Sequence, residues 1–130
     1  MEGNGAILED ERACAAFVEP LLDWSGGECI IAIHLDGHGR VLGTSRASDP
    51  SPDRIELPVR QIVGDAIRHD ACALILAHTH PGGDPTPSTG DVDATRTLDQ
   101  ALRPLGIRLY DHLIFTREGG RTSFRRLGWL

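Results

Sequence analysis

The chain has 130 residues, 40% of them hydrophobic and 25% charged, with a formal net charge of -6. This length and balance are typical of a single compact globular domain, here residues 1–130, and they exclude the disordered and fibrous classes. The negative net charge disfavours general binding to the phosphate backbone of nucleic acids.

Cysteine usage and the N-terminal residues indicate a cytoplasmic protein. The three cysteines are an odd number without C-x-x-C spacing, and each lies in an apolar stretch, so we expect no disulfide scaffold. The acidic N-terminal residues do not resemble the basic start of a signal peptide, and no apolar segment approaches membrane-spanning length. We therefore expect no membrane association.

The first half of the chain predicts a helix followed by a β-hairpin and a loop. Apolar residues at helical spacing predict an amphipathic helix over residues 9–22. The apolar run Cys29–Leu35 predicts a buried strand, and the turn residues Gly37–Gly39 before Arg40–Ser45 make a hairpin. Residues 47–58 contain three prolines among Ser and Asp, which predicts a surface loop.

The second half alternates helical and β patterns and ends in a second hairpin. Its predicted elements are a helix over 59–67, a strand over 72–77 leading into His78, a loop over 81–89, a helix over 91–105, a strand over 107–116 and a terminal strand or tail over 122–130. Together these elements predict the α/β class, with a mixed sheet flanked by helices.

Two histidines end the predicted buried strand. His78 and His80 are two positions apart, so their side chains point to one side of the strand and can converge on one metal ion. A lone H-x-H motif more often marks two partly exposed histidines. The rigid Pro- and Gly-rich segment 81–87 favours the metal interpretation, because it can fold back and bring Ser88 and Asp91 beside the histidines.

Ser88 and Asp91 also fit a helix N-cap, with Asp in the place of the Glu or Gln of a capping box. The two interpretations are compatible, since a carboxylate in the first turn of a helix can still face a cation. Asp84 competes with Asp91 as a third ligand, but it lies inside the Pro-rich turn, where bonding to the local backbone is the usual explanation. Zinc accepts imidazole nitrogen and carboxylate oxygen, and three protein ligands leave a fourth position for water.

The segment 78–91 resembles the H-x-H-x7-S-x-x-D signature of the JAMM (JAB/MPN) metalloprotease family, without a gap. Within that family, residues 78–88 are similar to the RadC branch, whose signature is close to H-N-H-P-S-G-D-P-x-P-S. Residues 111–114 resemble the later D-H-L-I segment of the same branch, and Ser123-Phe124 its terminal Ser-Phe. The resemblance covers the chain from residue 28 to the C-terminus.

The resemblance implies a cytidine-deaminase-like JAB/MPN fold and a zinc-dependent peptidase or isopeptidase. The family's metal ligands correspond to His78, His80 and Asp91, which would hold Zn²⁺. Ser88 takes the family's serine role, and Glu28, just before the first predicted strand, takes the place of its general acid/base.

From chemistry alone, Glu56 is an alternative general base. The implied substrate is a peptide or protein, including one with a ubiquitin-like C-terminus. The rival function is a DNA-repair-associated or partner-binding accessory domain whose zinc is not catalytic, and a fourth protein ligand would distinguish it. DNA binding itself is not expected, because the helix-hairpin-helix segment that usually precedes this domain in RadC proteins is absent.

The remaining charged and aromatic side chains receive no functional role from the sequence. The other histidines are isolated in sequence and are predicted to be surface or hydrogen-bonded structural residues; they are His34, His38, His69 and His112. Four arginines near the C-terminus are predicted to form a solvated edge in preference to an anion site; they are Arg117, Arg121, Arg125 and Arg126. The sequence predicts no oligomeric state.

Overall fold

A computed structural model of the chain describes residues 5–49 and 57–130. The helices are α1 (Glu11–Val18), α2 (Val59–Arg68) and α3 (Thr89–Leu102), with 3₁₀ turns at Glu19–Leu21 and Arg103–Leu105. The strands are β1 (Glu28–Leu35), β2 (Val41–Asp49), β3 (Ala73–His80), β4 (Arg108–Thr116) and β5 (Arg121–Ser123). None of the described helices is long and apolar enough to cross a membrane.

The five strands form one mixed sheet in the order β2-β1-β3-β4-β5. The β3–β4 pair is parallel and is connected through α3, whereas the other neighbouring pairs are antiparallel. The predicted α/β class with a mixed sheet is confirmed. The parallel pair places the end of β3 at the same edge of the sheet as the start of α3.

The sheet is buried on both faces, as the continuous apolar runs of β1 and β3 require. One face packs against α1, through Cys14 and Val18. The other face packs against α2 and α3, through Ile62 and Leu98. All of these side chains are at most 2% exposed, so the helices cover a sheet that is too apolar to face water.

The predicted helix and strand bounds differ from the structure for local reasons. The first helix begins at Glu11 because Asp10 caps it, its carboxylate accepting the Ala13 N–H at 2.8 Å. The helices predicted over 9–22 and 91–105 end in 3₁₀ turns that contain proline. The predicted loop over 47–58 is wrong for residues 47–49, which continue β2 opposite β1; residues 50–56 lie outside the described part of the chain.

A bulge in β4 changes which side chains face each helix. The pairing runs from Leu74 with Leu109 to Ile75 with Asp111, so Tyr110 is an extra residue in β4. Before the bulge, Leu109 packs on the α2/α3 side; after it, Leu113 packs on the α1 side. Even-numbered positions after the bulge, including His112, therefore face α3.

The C-terminal arginines lie largely exposed, as the predicted solvated edge requires, and each also contacts another part of the domain. Arg121 and Arg126 each place Nε within 2.8 Å of the Glu11 carboxylate, and Arg117 donates to the Trp24 carbonyl oxygen at 2.7 Å. The guanidinium of Arg125 lies 4.3 Å from the centre of the Tyr110 ring. These contacts join α1 and the segment after it to the C-terminal part of the chain.

Candidate metal centre

The candidate site lies where three chain segments meet at one edge of the sheet. Strand β3 ends at His80, and α3 begins nine residues later, at Thr89. Strand β1 runs antiparallel to β3 with Ile30 opposite His78, so Glu28, at the start of β1, lies beside the end of β3. The fold therefore brings together residues 28, 78, 80, 88 and 91.

His78 is 1% exposed and is placed as a neutral ligand would be. Its Nε2 lies 3.4 Å from Asp91 Oδ1 and has no hydrogen-bond partner within residues 5–49 and 57–130. Burial lowers the pKa of His78 to about 4, although the Asp91 carboxylate opposes that shift. A buried imidazole nitrogen left without a hydrogen bond is costly, unless a ligand such as a metal ion takes its lone pair.

His80 offers the second nitrogen from a less buried position. Its Nδ1–H donates to the carbonyl oxygen of Asp84 at 3.0 Å, so its Nε2 is directed to Asp91 Oδ2, 3.1 Å away. The hydrogen bond to Asp91 raises the pKa of His80, and burial opposes the shift. The loop thus fixes which nitrogen of His80 faces the site.

Asp91 is 2% exposed, and its two oxygens divide between the two histidines. Burial alone would raise its pKa, but the hydrogen bond from His80, the proximity of His78 and the Ser88 N–H together hold the pKa below its usual value. The carboxylate therefore stays ionised, as a metal ligand must be.

The capping box proposed for Ser88 and Asp91 is present. Ser88 Oγ accepts the Asp91 N–H at 3.0 Å, and Asp91 Oδ2 accepts the Ser88 N–H at 2.8 Å. The cap fixes the Asp91 carboxylate through Oδ2, while Oδ1 faces His78. The same two hydrogen bonds therefore cap α3 and orient Asp91 toward the histidines. Ser88 itself is exposed.

Glu28 lies at the cluster, half-buried at the start of β1. Ligand atoms of Glu28, His78 and His80 all lie within 4.8 Å of one another, a spacing that could hold a metal ion. Glu56, the alternative base, lies outside the described residues. The Asp84 carboxylate accepts from Thr86 N and Oγ1, as expected for loop structure.

The Pro-rich loop after β3 is held by the rest of the domain. Besides the His80 bond to Asp84, Thr122 Oγ1 donates to the Pro85 carbonyl oxygen at 2.7 Å. A Cβ on Gly120 would lie 2.6 Å from Thr116 Oγ1 and 3.4 Å from Pro85 Cγ, so the β4–β5 turn approaches the loop closely. The loop is therefore a fixed support for His80 and Ser88.

One residue of the site was missed by sequence reasoning. His112, predicted to be an isolated histidine, places Nε2 2.7 Å from His78 Nδ1. Its Nδ1 lies 2.6 Å from Thr95 Oγ1, and its ring stacks on Phe124 at 4.5 Å. Burial lowers its pKa well below the usual histidine value. The available signal was its place in the D-H-L-I segment.

The other histidines do not join this cluster. His34 is buried on the same sheet face, but opposite Leu74 and so four residues along the strand from the site. Its Nε2–H donates to Ser45 Oγ at 2.7 Å, and its ring stacks on His69 at 5.1 Å. His38 is exposed in the β1–β2 turn. These positions agree with the structural roles that the sequence predicts.

A mixed sheet with two histidines at the end of β3 and a carboxylate in the first turn of α3 defines a JAB-type domain with a cluster able to hold a metal ion. The model of the RadC-like JAB domain family matches residues 8–129, and the chain belongs to that family. The resemblance found in the sequence is confirmed, and with it the JAB/MPN fold.

Curated relatives support the same assignment. The chain is 40% identical over 123 residues to a UPF0758 protein of Symbiobacterium thermophilum, covering 95% of this chain and 52% of the relative. It is 34% identical over 127 residues to a UPF0758 protein of Pseudomonas fluorescens, covering 98% and 56%. A UPF0758 protein of Stenotrophomonas maltophilia is 32% identical over 130 residues, 100% of this chain and 55% of the relative. The chain thus spans about half the length of these relatives.

Proposed function

We propose that the chain is a zinc-dependent metallohydrolase, a peptidase or isopeptidase of the JAMM type. The observation that carries the proposal is the buried His78 Nε2, which has no hydrogen-bond partner in the described part of the chain and faces the same point as His80 Nε2 and an ionised Asp91. Two imidazoles and a carboxylate are a donor set that zinc accepts. His78, His80 and Asp91 would hold the ion.

Bound zinc would supply Lewis acidity, which lowers the pKa of water and polarises a carbonyl oxygen. Glu28 would accept the proton of the attacking water and return it to the leaving amine, since its carboxylate lies within 4.8 Å of the histidine nitrogens. A half-buried carboxylate at that distance is close enough to act on a water at the cluster.

Ser88 would stabilise the developing oxyanion of the substrate. Its Oγ accepts the Asp91 N–H, which leaves the hydroxyl proton available for donation. Ser88 is exposed, as is the loop of residues 81–84 before it, so a peptide chain can approach this side of the cluster. Gly82 is open enough that an added Cβ would meet nothing within 4 Å. The proposed substrate is a peptide or isopeptide bond in a protein, including one next to a ubiquitin-like C-terminus.

The second candidate function is a partner-binding or DNA-repair-associated accessory domain with a non-catalytic zinc. The position of Glu28 supports this alternative, because a carboxylate within 4.8 Å of both histidines could close the site as a fourth ligand. Structural zinc sites are closed by four protein ligands, whereas catalytic sites keep an open position. The role of Glu28 therefore distinguishes the two functions.

The test combines zinc content with hydrolysis for Glu28→Gln. The proposal predicts stoichiometric zinc, an unchanged melting temperature and no cleavage, because the amide keeps the shape of the side chain but cannot take a proton. Substrates are screened among peptides and ubiquitin-like fusions with the wild-type protein, and every variant is checked for zinc by mass spectrometry. Weakened zinc binding in Glu28→Gln, together with a wild-type protein that cleaves nothing, would instead support the closed, non-catalytic site.

A further inference from the structure

A chain of three hydrogen bonds joins His78 to the helix that carries Asp91. His78 Nδ1 lies 2.7 Å from His112 Nε2, His112 Nδ1 lies 2.6 Å from Thr95 Oγ1, and Thr95 Oγ1 donates to the Asp91 carbonyl oxygen at 2.7 Å. His78, His112 and Thr95 are 1%, 2% and 4% exposed. Water therefore does not compete for these contacts, and their protons must be shared among the protein groups alone.

The number of available protons fixes which group donates in each of these three hydrogen bonds. The Asp91 carbonyl oxygen only accepts, so the single hydroxyl proton of Thr95 is used on it. His112 Nδ1 must then carry the proton that Thr95 Oγ1 accepts, which leaves His112 Nε2 as an acceptor in the neutral ring. His78 Nδ1 donates to that acceptor. The lone pair of His78 is consequently on Nε2, the nitrogen that faces Asp91.

We infer that His112 is a positioning residue of the metal centre. It fixes His78 in the tautomer whose Nε2 can bind the ion, and it connects His78 through Thr95 to the backbone of Asp91. Both ring nitrogens of His112 are engaged, so His112 is not itself a ligand. The inference rests on the proposed metal site and extends it to a residue outside the ligand set.

The packing around His112 holds its ring in the orientation that this role requires. The ring stacks on Phe124 at 4.5 Å, and Phe124 meets Trp129 edge-on at 5.3 Å. The β4 bulge turns His112 toward α3, so the ring reaches His78 and Thr95 together. A hydrogen-bond partner held in this way orients a metal-binding imidazole and raises its basicity.

The experiment measures metal affinity, with three variants compared with the wild-type protein by chelator competition. His112→Phe keeps an aromatic ring against Phe124 and removes the acceptor. His112→Gln places a side-chain oxygen near the position of Nε2, where it can accept the hydrogen bond from His78 Nδ1. His34→Phe is the matched control, since His34 is also a buried strand histidine on this face, roughly 13 Å along the strand from His78 at ~3.3 Å per residue.

We expect His112→Phe to weaken zinc binding about 10- to 100-fold, the usual effect of losing an outer hydrogen-bond partner of a ligand. His112→Gln should recover most of that loss, and His34→Phe should bind zinc as the wild type does. Cobalt(II) absorption should shift in His112→Phe and return in His112→Gln, a change that lost packing would not produce. Nitrogen-15 NMR of the zinc-loaded wild type should show His112 protonated on Nδ1 and not on Nε2.

The outcomes separate this inference from the proposed function. Wild-type affinity and cobalt spectrum in His112→Phe would overturn it, as would a His112→Gln protein as weak as His112→Phe or an equal loss in His34→Phe. If His112→Phe does not fold, Thr95→Val supplies the same test, because it removes the anchor of His112 at constant volume and should also weaken zinc. A wild-type protein that binds neither zinc nor cobalt would overturn the proposed function, and the inference with it.

Discussion

Replacement of Ser88 tests whether its hydroxyl has a chemical role beyond capping α3. Ser88→Ala removes the oxygen that accepts the Asp91 N–H at 3.0 Å. Loss of such an N-cap typically costs about 1 kcal/mol, whereas Gly at the same position costs only a few tenths. Both variants lack a hydroxyl to stabilise an oxyanion, and loss of one such donor typically lowers kcat about 10²- to 10³-fold. Ser88→Ala should therefore lose both stability and activity, whereas Ser88→Gly should lose activity with little loss of stability.

The measurements are thermal melting and hydrolysis at saturating substrate, with zinc content checked for each variant. We expect Ser88→Ala and Ser88→Gly to lose similar activity, while only Ser88→Ala melts several degrees lower, since about 1 kcal/mol shifts a domain of this size by roughly 3–5 °C. Asp10→Ala is the matched control, because Asp10 caps α1 in the same way, at 2.8 Å from Ala13 N, away from the site.

Asp10→Ala should lose the same stability as Ser88→Ala and keep full activity. The oxyanion role of Ser88 would be refuted if Ser88→Gly cleaved at the wild-type rate. It would also be refuted if Asp10→Ala lost as much activity as Ser88→Ala, since the effect would then follow from helix stability alone. The comparison requires only a substrate that the wild-type protein cleaves.

Three further outcomes are expected. His78→Ala, His80→Ala and Asp91→Ala should each weaken zinc binding in metal analysis, and the exposed His38→Ala should not; full zinc at wild-type affinity in the first three would make the ligand set wrong. Duplex DNA should bind weakly at physiological salt because the net charge is -6, and tight binding with a steep salt dependence in a titration would contradict this. Burial lowers the pKa of His34 from 6.5 to about 4. Between these two pH values His34 is protonated in the unfolded chain but neutral in the folded protein. The melting temperature should therefore fall as the pH drops from about 6.5 to 4. His34→Gln should make that dependence shallower without removing it, because the lowered pKa values of buried His78 and His112 act in the same direction. An unchanged slope would exclude His34 as a contributor.

Much of the fold follows from periodicity. The strands β1 and β3 are continuous apolar runs because both faces are covered, and such runs are clear in sequence. The spacing of His78 and His80 and the Ser88–Asp91 cap are local features, so the sequence could predict which residues meet. The extension of β2 through residues 47–49 was missed, since Ser and Asp favour loops and only pairing with β1 holds them extended.

The contacts between residues far apart in the chain could not be predicted from the sequence. Nothing local shows that Arg121 and Arg126 meet Glu11, more than a hundred residues away. The role of His112 was hidden for a similar reason, because the contact with His78 spans 34 residues and depends on strand register. Strict alternation from Leu109 would have assigned His112 to the opposite face of the sheet.

The extra residue in β4 also makes the site tolerant of one change in chain length. A deletion at Tyr110 could restore a regular ladder between β3 and β4, and the hydrogen bonds of the sheet would lose little. Asp111 would still lie opposite Ile75 and His112 opposite Leu76, so His112 would stay in phase with Leu109 and would keep facing α3. A β4 shortened by one residue at the bulge could therefore keep both the sheet and the partner of His78. Homologous chains are best aligned here by the histidine that faces α3, with the gap placed at the bulge.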